Sequence, residues 1–254
     1  MQFETIIVSK KGHIAFVELN NPSKHNSLIY KFWGEFKQAF EDLDKDPVVR
    51  CIILSGQGKH FCSGIDLMDF AALANQKKSD PSRSALLIRQ ILGPMQDGVS
   101  AVEKCNKPVI AAVHNACIGA GVDIISACDI RLASADAKFS VKEVDIGLCA
   151  DVGSLQRFPK VVGNQSWVRE VCLTGRTFHA DEALKHGFIS QIYGNQQELE
   201  VKSLELANVI ASKSPIAVMG TKRNLVYSRD HSVEEGLEYV KTWNHGMLQT
   251  KVLV

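Results

Sequence analysis

The sequence has almost no excess of charge of either sign. It contains 29 Lys and Arg against 28 Asp and Glu, which gives a net charge of +1. Nucleic acids and anionic membranes attract proteins through a positive field, and this chain lacks the excess that would create one. We therefore expect no nucleic-acid partner.

Long apolar runs are also missing. No segment approaches the ~18 apolar residues of a membrane helix, so we expect no membrane span. The N-terminal MQFETIIVSK has neither the apolar core of a secretory signal nor the arginines of a transit helix, and the C-terminal KVLV is not the Ser-Lys-Leu peroxisomal address. These absences predict a soluble intracellular protein without a visible targeting signal.

Paired cysteines and metal-binding motifs are absent as well. The seven cysteines are odd in number and never form a C-x-x-C pair, and the eight histidines form no H-E-x-x-H cluster. Most of the cysteines stand in apolar segments. We expect reduced, buried thiols and no bound metal.

What the sequence does contain is an alternation of strand-like and helix-like segments. Apolar runs at 48–56, 108–113 and 128–134 predict buried parallel strands, and 3–20 predicts a hairpin. Apolar residues spaced by three and four over 27–46 predict a helix capped by Asn26 or Ser27. The fold class is therefore α/β, with a core over 1–163 and a helical C-terminal region over 164–254.

Two glycine-containing turns follow predicted buried strands, at 58–67 and 115–129. Such turns let a ligand approach the backbone, and two of them side by side could direct two N–H donors at one oxygen. Plain packing is the alternative. Dinucleotide binding is disfavoured because the third glycine of G-x-G-x-x-G is replaced by Ile124, and the sequence has no phosphate loop or nucleophile elbow.

Several carboxylates lie within apolar segments, where each must find a partner, take up a proton or serve a purpose. Asp151 could cap the next helix, Glu143 could pair with a cation, and Asp123 could complement a helix dipole. Each of the three could instead be catalytic. We assign Asp145 to structure or solvent, and we expect a structural ion pair between Asp129 and Arg131.

Four quoted segments, taken together, resemble the crotonase (enoyl-CoA hydratase/isomerase) superfamily over about 5–248. They are NNPSKHNSL, FCSGIDL, KPVIAAVHNACIGAGVDIISACDIRLAS and LTGRTFHADEALKHGFIS. The resemblance implies a ββα spiral core that binds acyl-CoA thioesters and C-terminal helices that assemble a homotrimer or homohexamer. It implies no separate cofactor, because CoA is part of the substrate.

The resemblance also places the site on particular residues. The N–H groups of Ile65 and Ala120 would form the oxyanion hole, and Lys222 or Arg223 would meet the CoA phosphates. The residues implied in substrate binding are Ser63, Gly64, Ile65, Asp66, Leu67, Ala120 and Gly121.

The acid set Asp123, Glu143 and Asp151 is similar to that of the dienoyl-CoA isomerases within the superfamily. Typical hydratases carry two glutamates instead, with glycine where Asp151 stands. The resemblance implies conversion of a 3,5-dienoyl-CoA to the 2,4-isomer in mitochondrial or peroxisomal β-oxidation. Glu143 and Asp151 would transfer protons at C2 and C6, with Asp123 in support. If Asp151 caps the next helix, the dipole would favour it as the base and Glu143 as the acid.

Other functions remain open from the sequence. An enoyl-CoA hydratase would hold a water between two carboxylates, and a Δ3-Δ2 enoyl-CoA isomerase can work with one acid. A non-catalytic acyl-CoA-binding or RNA-binding relative is a more remote alternative.

Overall fold

The computed structural model describes residues 3–74 and 80–248. The chain forms one six-stranded sheet, one three-stranded sheet and a set of helices that cover them. The strands are β1 (Ile6–Lys11), β2 (Ile14–Leu19), β3 (Cys51–Gly56), β4 (Val109–Val113), β5 (Ala116–Ile118), β6 (Ile130–Ser134), β7 (Lys138–Ser140), β8 (Phe178–His179) and β9 (Gln191–Tyr193).

The helices occupy the connections between strands and most of the C-terminal third. They are α1 (Tyr30–Lys45), α2 (Leu67–Ala74), α3 (Pro81–Lys104), α4 (Ala120–Ser126), α5 (Ser154–Val161), α6 (Gln165–Thr174), α7 (Ala180–Lys185), α8 (Gln196–Ala211), α9 (Pro215–Ser228) and α10 (Val233–Met247). Within the described ranges no helix is long and apolar enough to cross a membrane.

The large sheet has the order β1-β2-β3-β4-β6-β9. Strands β1 and β2 form the predicted antiparallel hairpin, and the remaining neighbours are parallel. Every residue of β4 is buried, as expected for a parallel strand with both faces covered. The smaller sheet has the order β5-β7-β8.

Alternate residues of the central strands enter two different cores. Ile52 and Leu54 of β3 face the large core with Phe36 of α1, whereas Ile53 faces a smaller core with Ala207 of α8. This division follows from the two-residue repeat of a strand. The prediction of a sheet covered on both faces is confirmed.

The predicted cap of α1 was wrong. The helix begins at Tyr30, whose N–H donates to Asp69 Oδ2 at 2.6 Å. Asn26 has a left-handed backbone with φ of 55°, and its amide donates to the carbonyls of Gln57 and His60 at 2.8 Å each. Asn26 therefore stabilises the turn after β3 and does not cap α1.

The predicted ion pair between Asp129 and Arg131 was also wrong. Arg131 donates to the backbone carbonyls of Phe188 and Cys128 at 2.7 and 2.6 Å. Asp129 instead pairs with Lys222 of α9, at 2.7 Å. Both charges are satisfied, Arg131 by backbone carbonyls and Asp129 by a lysine 93 residues away.

Lys222 was a wrong prediction for the CoA phosphates. Its side chain is buried, and the ammonium group donates to Asp129 and to the carbonyls of Val102 and Lys107. An ammonium group has three N–H bonds, so none is left for a phosphate. Neighbouring Arg223 donates to Asn106 Oδ1 at 2.6 Å.

The predicted boundary after residue 163 falls between α5 and α6. Phe158 of α5 and Trp167 of α6 pack edge to face with ring centroids 5.7 Å apart, and the large core includes residues from both sides. The division into two regions stays a prediction.

Six of the seven cysteines are buried free thiols and Cys149 is exposed. Among the residues described, no group of three or more His, Cys, Asp or Glu could hold a metal ion.

Candidate active site

The two glycine turns meet at the carboxyl ends of the central strands. Gly64 and Gly119 both have positive φ, at 94° and 53°. A Cβ on Gly64 would lie 3.2 Å from the carbonyl oxygen of Ile118, and a Cβ on Gly119 would lie 3.9 Å from Gly64 Cα. The positive φ favours glycine at both positions, and a side chain at Gly64 would also crowd the Ile118 carbonyl. The two turns are neighbours, which is the arrangement that an oxyanion hole needs.

In the first turn, the backbone N–H of Ile65 points away from the neighbouring residue Leu28. The Leu28 N–H donates to the Gly64 carbonyl at 2.8 Å, and the Asp66 N–H donates to the Leu28 carbonyl at 2.9 Å. Because peptide groups alternate in direction along an extended chain, the Ile65 N–H points away from Leu28. Ala120 is the first residue of α4, where an N–H has no partner within the helix.

Asp123 lies in the first turn of α4 and its side chain is completely buried. Oδ1 accepts a hydrogen bond from the Ser154 N–H, whereas Oδ2 has no partner among the described residues. Burial and then the charge of Glu143 raise the pKa of Asp123 to about 7, although the Ser154 hydrogen bonds act in the opposite direction. The Asp123 carboxyl group therefore titrates near neutral pH.

Glu143 opens a short 3-10 helix, Glu143–Ile146. Its Oε1 lies 3.1 Å from the position that a Cβ on Gly119 would take, so the carboxyl group rests against the second glycine turn. Its Oε2 is buried without a partner in the described structure. Burial and the charge of Asp151 raise the pKa of Glu143. The alternative of a pairing cation fails, because Lys142 pairs with Asp145.

Asp151 follows on the loop that leads into α5, and burial raises its pKa. The helix begins at Ser154 with Gly153 as its cap residue and has no side-chain cap. The alternative of Asp151 as a helix cap was therefore wrong, and so was the lowered pKa expected from it. Gly153 has φ of 139°, and this conformation separates Asp151 from the helix terminus.

A third glycine fixes the segment that carries Glu143. The carbonyl of Gly175, at the end of α6, accepts hydrogen bonds from Ser140 Oγ at 2.8 Å and Lys142 Nζ at 3.1 Å. A Cβ on Gly175 would lie 2.8 Å from Asp145 Oδ1. Sequence reasoning missed this role, although a glycine directly after a helical segment was a visible signal for a left-handed cap.

Two basic residues, Lys24 and His25, contact the first turn at Ser63 and Asp66. The Ser63 N–H donates to the His25 carbonyl at 3.0 Å, and the rings of His25 and His60 are 4.8 Å apart. Burial, followed by the charge of His25 and then those of Lys59 and Lys138, lowers the pKa of His60. The lowered pKa keeps His60 uncharged at neutral pH.

The chain is similar to known proteins over nearly its whole length. The family described as enoyl-CoA hydratase/isomerase matches residues 9–251. The chain belongs to this family. Among solved structures of the family, an enoyl-CoA hydratase from Bacillus anthracis has 28% identity and a TM-score of 0.87, covering 98% of this chain and 92% of that one. A putative enoyl-CoA hydratase from Thermobifida fusca in complex with CoA has 26% identity and a TM-score of 0.84, covering 96% and 93%. The predicted crotonase-like α/β fold is confirmed.

Closer relatives share the predicted specificity. The mitochondrial Delta(3,5)-Delta(2,4)-dienoyl-CoA isomerase of Mus musculus is 48% identical over 254 residues, which is 99% of this chain and 78% of the relative. The peroxisomal isomerase of the same name from Arabidopsis thaliana is 49% identical over 91% of this chain and 83% of its own length. The predicted resemblance to dienoyl-CoA isomerases is confirmed.

Proposed function

We propose that this chain is an isomerase that converts 3,5-dienoyl-CoA to 2,4-dienoyl-CoA in the oxidation of unsaturated fatty acids. One observation carries the proposal: buried Asp123 and half-buried Glu143 and Asp151 are close enough for their charges to act on one another, and Glu143 rests against Gly119 of the second glycine turn. The near full-length likeness to isomerases of that name supports it.

The reaction moves protons and leaves the composition of the substrate unchanged. Removal of a proton from C2 sends electrons through the conjugated chain toward the thioester oxygen, and protonation at C6 leaves double bonds at C2 and C4. The two carbons are four bonds apart, ~4–5 Å by ordinary covalent geometry. Two separate carboxyl groups fit this separation, one accepting and one donating a proton. The balance requires neither water nor a further cofactor.

The thioester oxygen would lie between the N–H groups of Ile65 and Ala120. Negative charge develops on that oxygen when C2 loses its proton, and preorganised donors stabilise such charge. The substrate would follow the backbone of Ser63, Gly64, Asp66 and Leu67, with Gly121 behind the carbonyl.

Glu143 is then the base for C2. Its carboxyl group rests against Gly119, next to the proposed donor Ala120, and C2 is bonded directly to the thioester carbon. Asp151 would then serve C6, because it is the remaining acid beside Glu143 and its charge acts on Glu143. This assignment reverses the one expected from sequence, which depended on Asp151 capping α5. Asp123, with a pKa of about 7, supports the pair by holding a proton behind it.

The CoA phosphates would bind the lysines at the first turn, Lys24 and Lys59. Lys24 forms an ion pair with Asp66 at 3.2 Å and its side chain remains 65% exposed, so it can still meet a phosphate. These residues replace Lys222, which is buried.

The assembly would be a homotrimer or homohexamer formed through the C-terminal helices. Leu225 of α9 and Leu237 of α10 are 69% and 62% exposed. Between these helices lies an open groove of about 440 Å³ with Ile216 and Trp243 in its lining. Sedimentation of a stable 28.0 kDa monomer would contradict this. The compartment would be mitochondrial or peroxisomal, as in the relatives' names.

An absorbance assay tests the function. A conjugated 2,4-dienoyl thioester absorbs to the red of its 3,5-isomer, so the enzyme should produce this band from 3,5-dienoyl-CoA while the mass of the product stays unchanged. A product that has gained one water would identify a hydratase. Absence of any turnover in the folded protein would refute the isomerase.

A further inference from the structure

One polar row on α3 contacts the segment that carries Asp151. Gln96, Ser100 and Glu103 are spaced by four and three residues, so they lie on one face of the helix. Gln96 Nε2 donates to the backbone carbonyl of Asp151 at 2.7 Å. The next two members bind Arg157, in the first turns of α5.

Arg157 is held by two residues of α3, Ser100 and Glu103. Its Nε lies 3.2 Å from Glu103 Oε1, and its Nη2 lies 3.0 Å from Ser100 Oγ. Both members of the ion pair are largely buried, with side chains 12% and 15% exposed. Burial would raise the pKa of Glu103, but Arg229 and Arg157 together hold it below its ordinary value. The guanidinium therefore has a fixed position.

The Arg157 guanidinium lies over Gly153, at the start of α5. Nη1 occupies the place that a Cβ on Gly153 would take. Gly153 connects Asp151 to Ser154, and the Ser154 N–H holds Asp123. The polar row of α3 thus contacts the Asp151 end of this short segment directly and reaches Gly153 only through Arg157.

We propose that Gln96 and Arg157 are positioning residues for proton transfer, which together fix the 151–154 segment relative to Asp123. Neither residue has a role in the mechanism derived above. A displacement of about 1 Å at reacting groups can cost ~100-fold in rate, so loosening this segment should slow the chemical step. Substrate binding, which uses the 63–67 backbone, should be unaffected.

Steady-state kinetics of Gln96→Ala, Arg157→Lys and Arg157→Gln test the inference. We expect kcat to fall about 10-fold in Gln96→Ala and about 100-fold in Arg157→Gln, with KM within twofold of wild type. Arg157→Lys should recover part of the loss, because it keeps the charge opposite Glu103 but cannot bind Ser100 at the same time.

Two variants serve as controls. Gln196→Ala removes a half-buried glutamine that bonds Glu200 on α8, and Arg83→Gln removes an exposed arginine on α3 itself. Both should retain wild-type kcat. The inference is overturned if Gln96→Ala keeps kcat within twofold of wild type, or if its loss is matched by Gln196→Ala or by a parallel fall in melting temperature. Gln96 is exposed, so its variant should fold even where Arg157→Gln does not.

The inference rests on the proposed isomerase function, and the two can fail separately. Wild-type protein that does not convert 3,5-dienoyl-CoA would refute the function. An active wild type with an equally active Gln96→Ala variant would refute only the positioning role.

Discussion

The Asp123 carboxylate accepts a hydrogen bond from the backbone N–H of Ser154, the first residue of α5. The two residues are 31 positions apart, and both are fully buried. An acid of α4 thus binds the N–H at the start of α5, and its second oxygen is left without a partner in the described structure. The same carboxyl group binds the start of α5 and has a raised pKa, so the stability of the fold should depend on its protonation.

Asp123→Asn should change how stability depends on pH. The pKa of Asp123 is about 7 in the folded chain against an ordinary 3.8, so the folded state binds the extra proton. Stability is fully present below about pH 4 and is lost as pH rises through 7, whereas Asn keeps an oxygen for Ser154 and has no such slope. By pH 8 the variant should gain roughly 4 kcal/mol relative to its difference from wild type at pH 4. Urea unfolding of both proteins across this range measures it, and parallel curves would contradict it.

Ile65→Pro should remove one oxyanion donor. Proline has no N–H, and losing such a donor costs ~10²–10³ in kcat. Ile65→Val keeps the N–H at nearly the same volume and should stay within a few-fold of wild type. The assignment of Ile65 is wrong if a folded Ile65→Pro protein turns over 3,5-dienoyl-CoA at the wild-type rate.

Glu143→Gln and Asp151→Asn should separate the two proton transfers. With Glu143 at C2 and Asp151 at C6, Asp151→Asn should still exchange the C2 proton with deuterated solvent while isomerisation falls by ~10²–10⁴. Glu143→Gln should lose both exchange and isomerisation. Deuterium incorporation followed by NMR measures each carbon separately. The opposite pattern would assign the two acids the other way round.

Asp151→Asn should also leave thermal stability nearly unchanged. Its carboxyl group caps no helix, and the hydrogen bond from Gln96 reaches its backbone rather than its side chain. A melting temperature well below that of wild type, with activity retained, would mean that the side chain is structural.

Gly175→Ala should displace the segment that carries Glu143. Its φ of 59° is costly for alanine, and the added Cβ would lie 2.8 Å from Asp145 Oδ1. We expect a loss of about 1–2 kcal/mol in stability and a fall in kcat, because Glu143 moves with Asp145. Gly163→Ala is a suitable control, since nothing lies within 4 Å of a Cβ there. Equal kcat in both variants would separate Gly175 from the site.

Local patterns in the sequence were enough for the strands and for the two glycine turns. Uninterrupted apolar runs such as 108–113 identify buried parallel strands, and a glycine after such a run marks the turn. Because parallel strands end at one edge, the turns of Gly64 and Gly119 could be expected to meet. The presence of acids near them was also visible.

Contacts between distant parts of the chain were not visible. Ser154 gives no sign in the sequence that it binds Asp123, and nothing near Asp129 points to Lys222, 93 residues away. Neighbouring opposite charges such as Asp129 and Arg131 look like a pair, yet carbonyl groups satisfied the arginine. Hydrogen-bond partners depend on packing, which a local pattern does not contain.

The buried Lys222 has a consequence for folding. Its ammonium group joins α9 to Asp129, which also accepts the N–H of Val109 at the start of β4. Opening α9 alone would leave that charge pair broken within the core, at about 3–5 kcal/mol. The sheet and α9 should therefore open as one cooperative unit, with matching hydrogen-exchange protection in β4 and α9. Proteolysis between α5 and α6 should destroy the fold rather than release two stable halves.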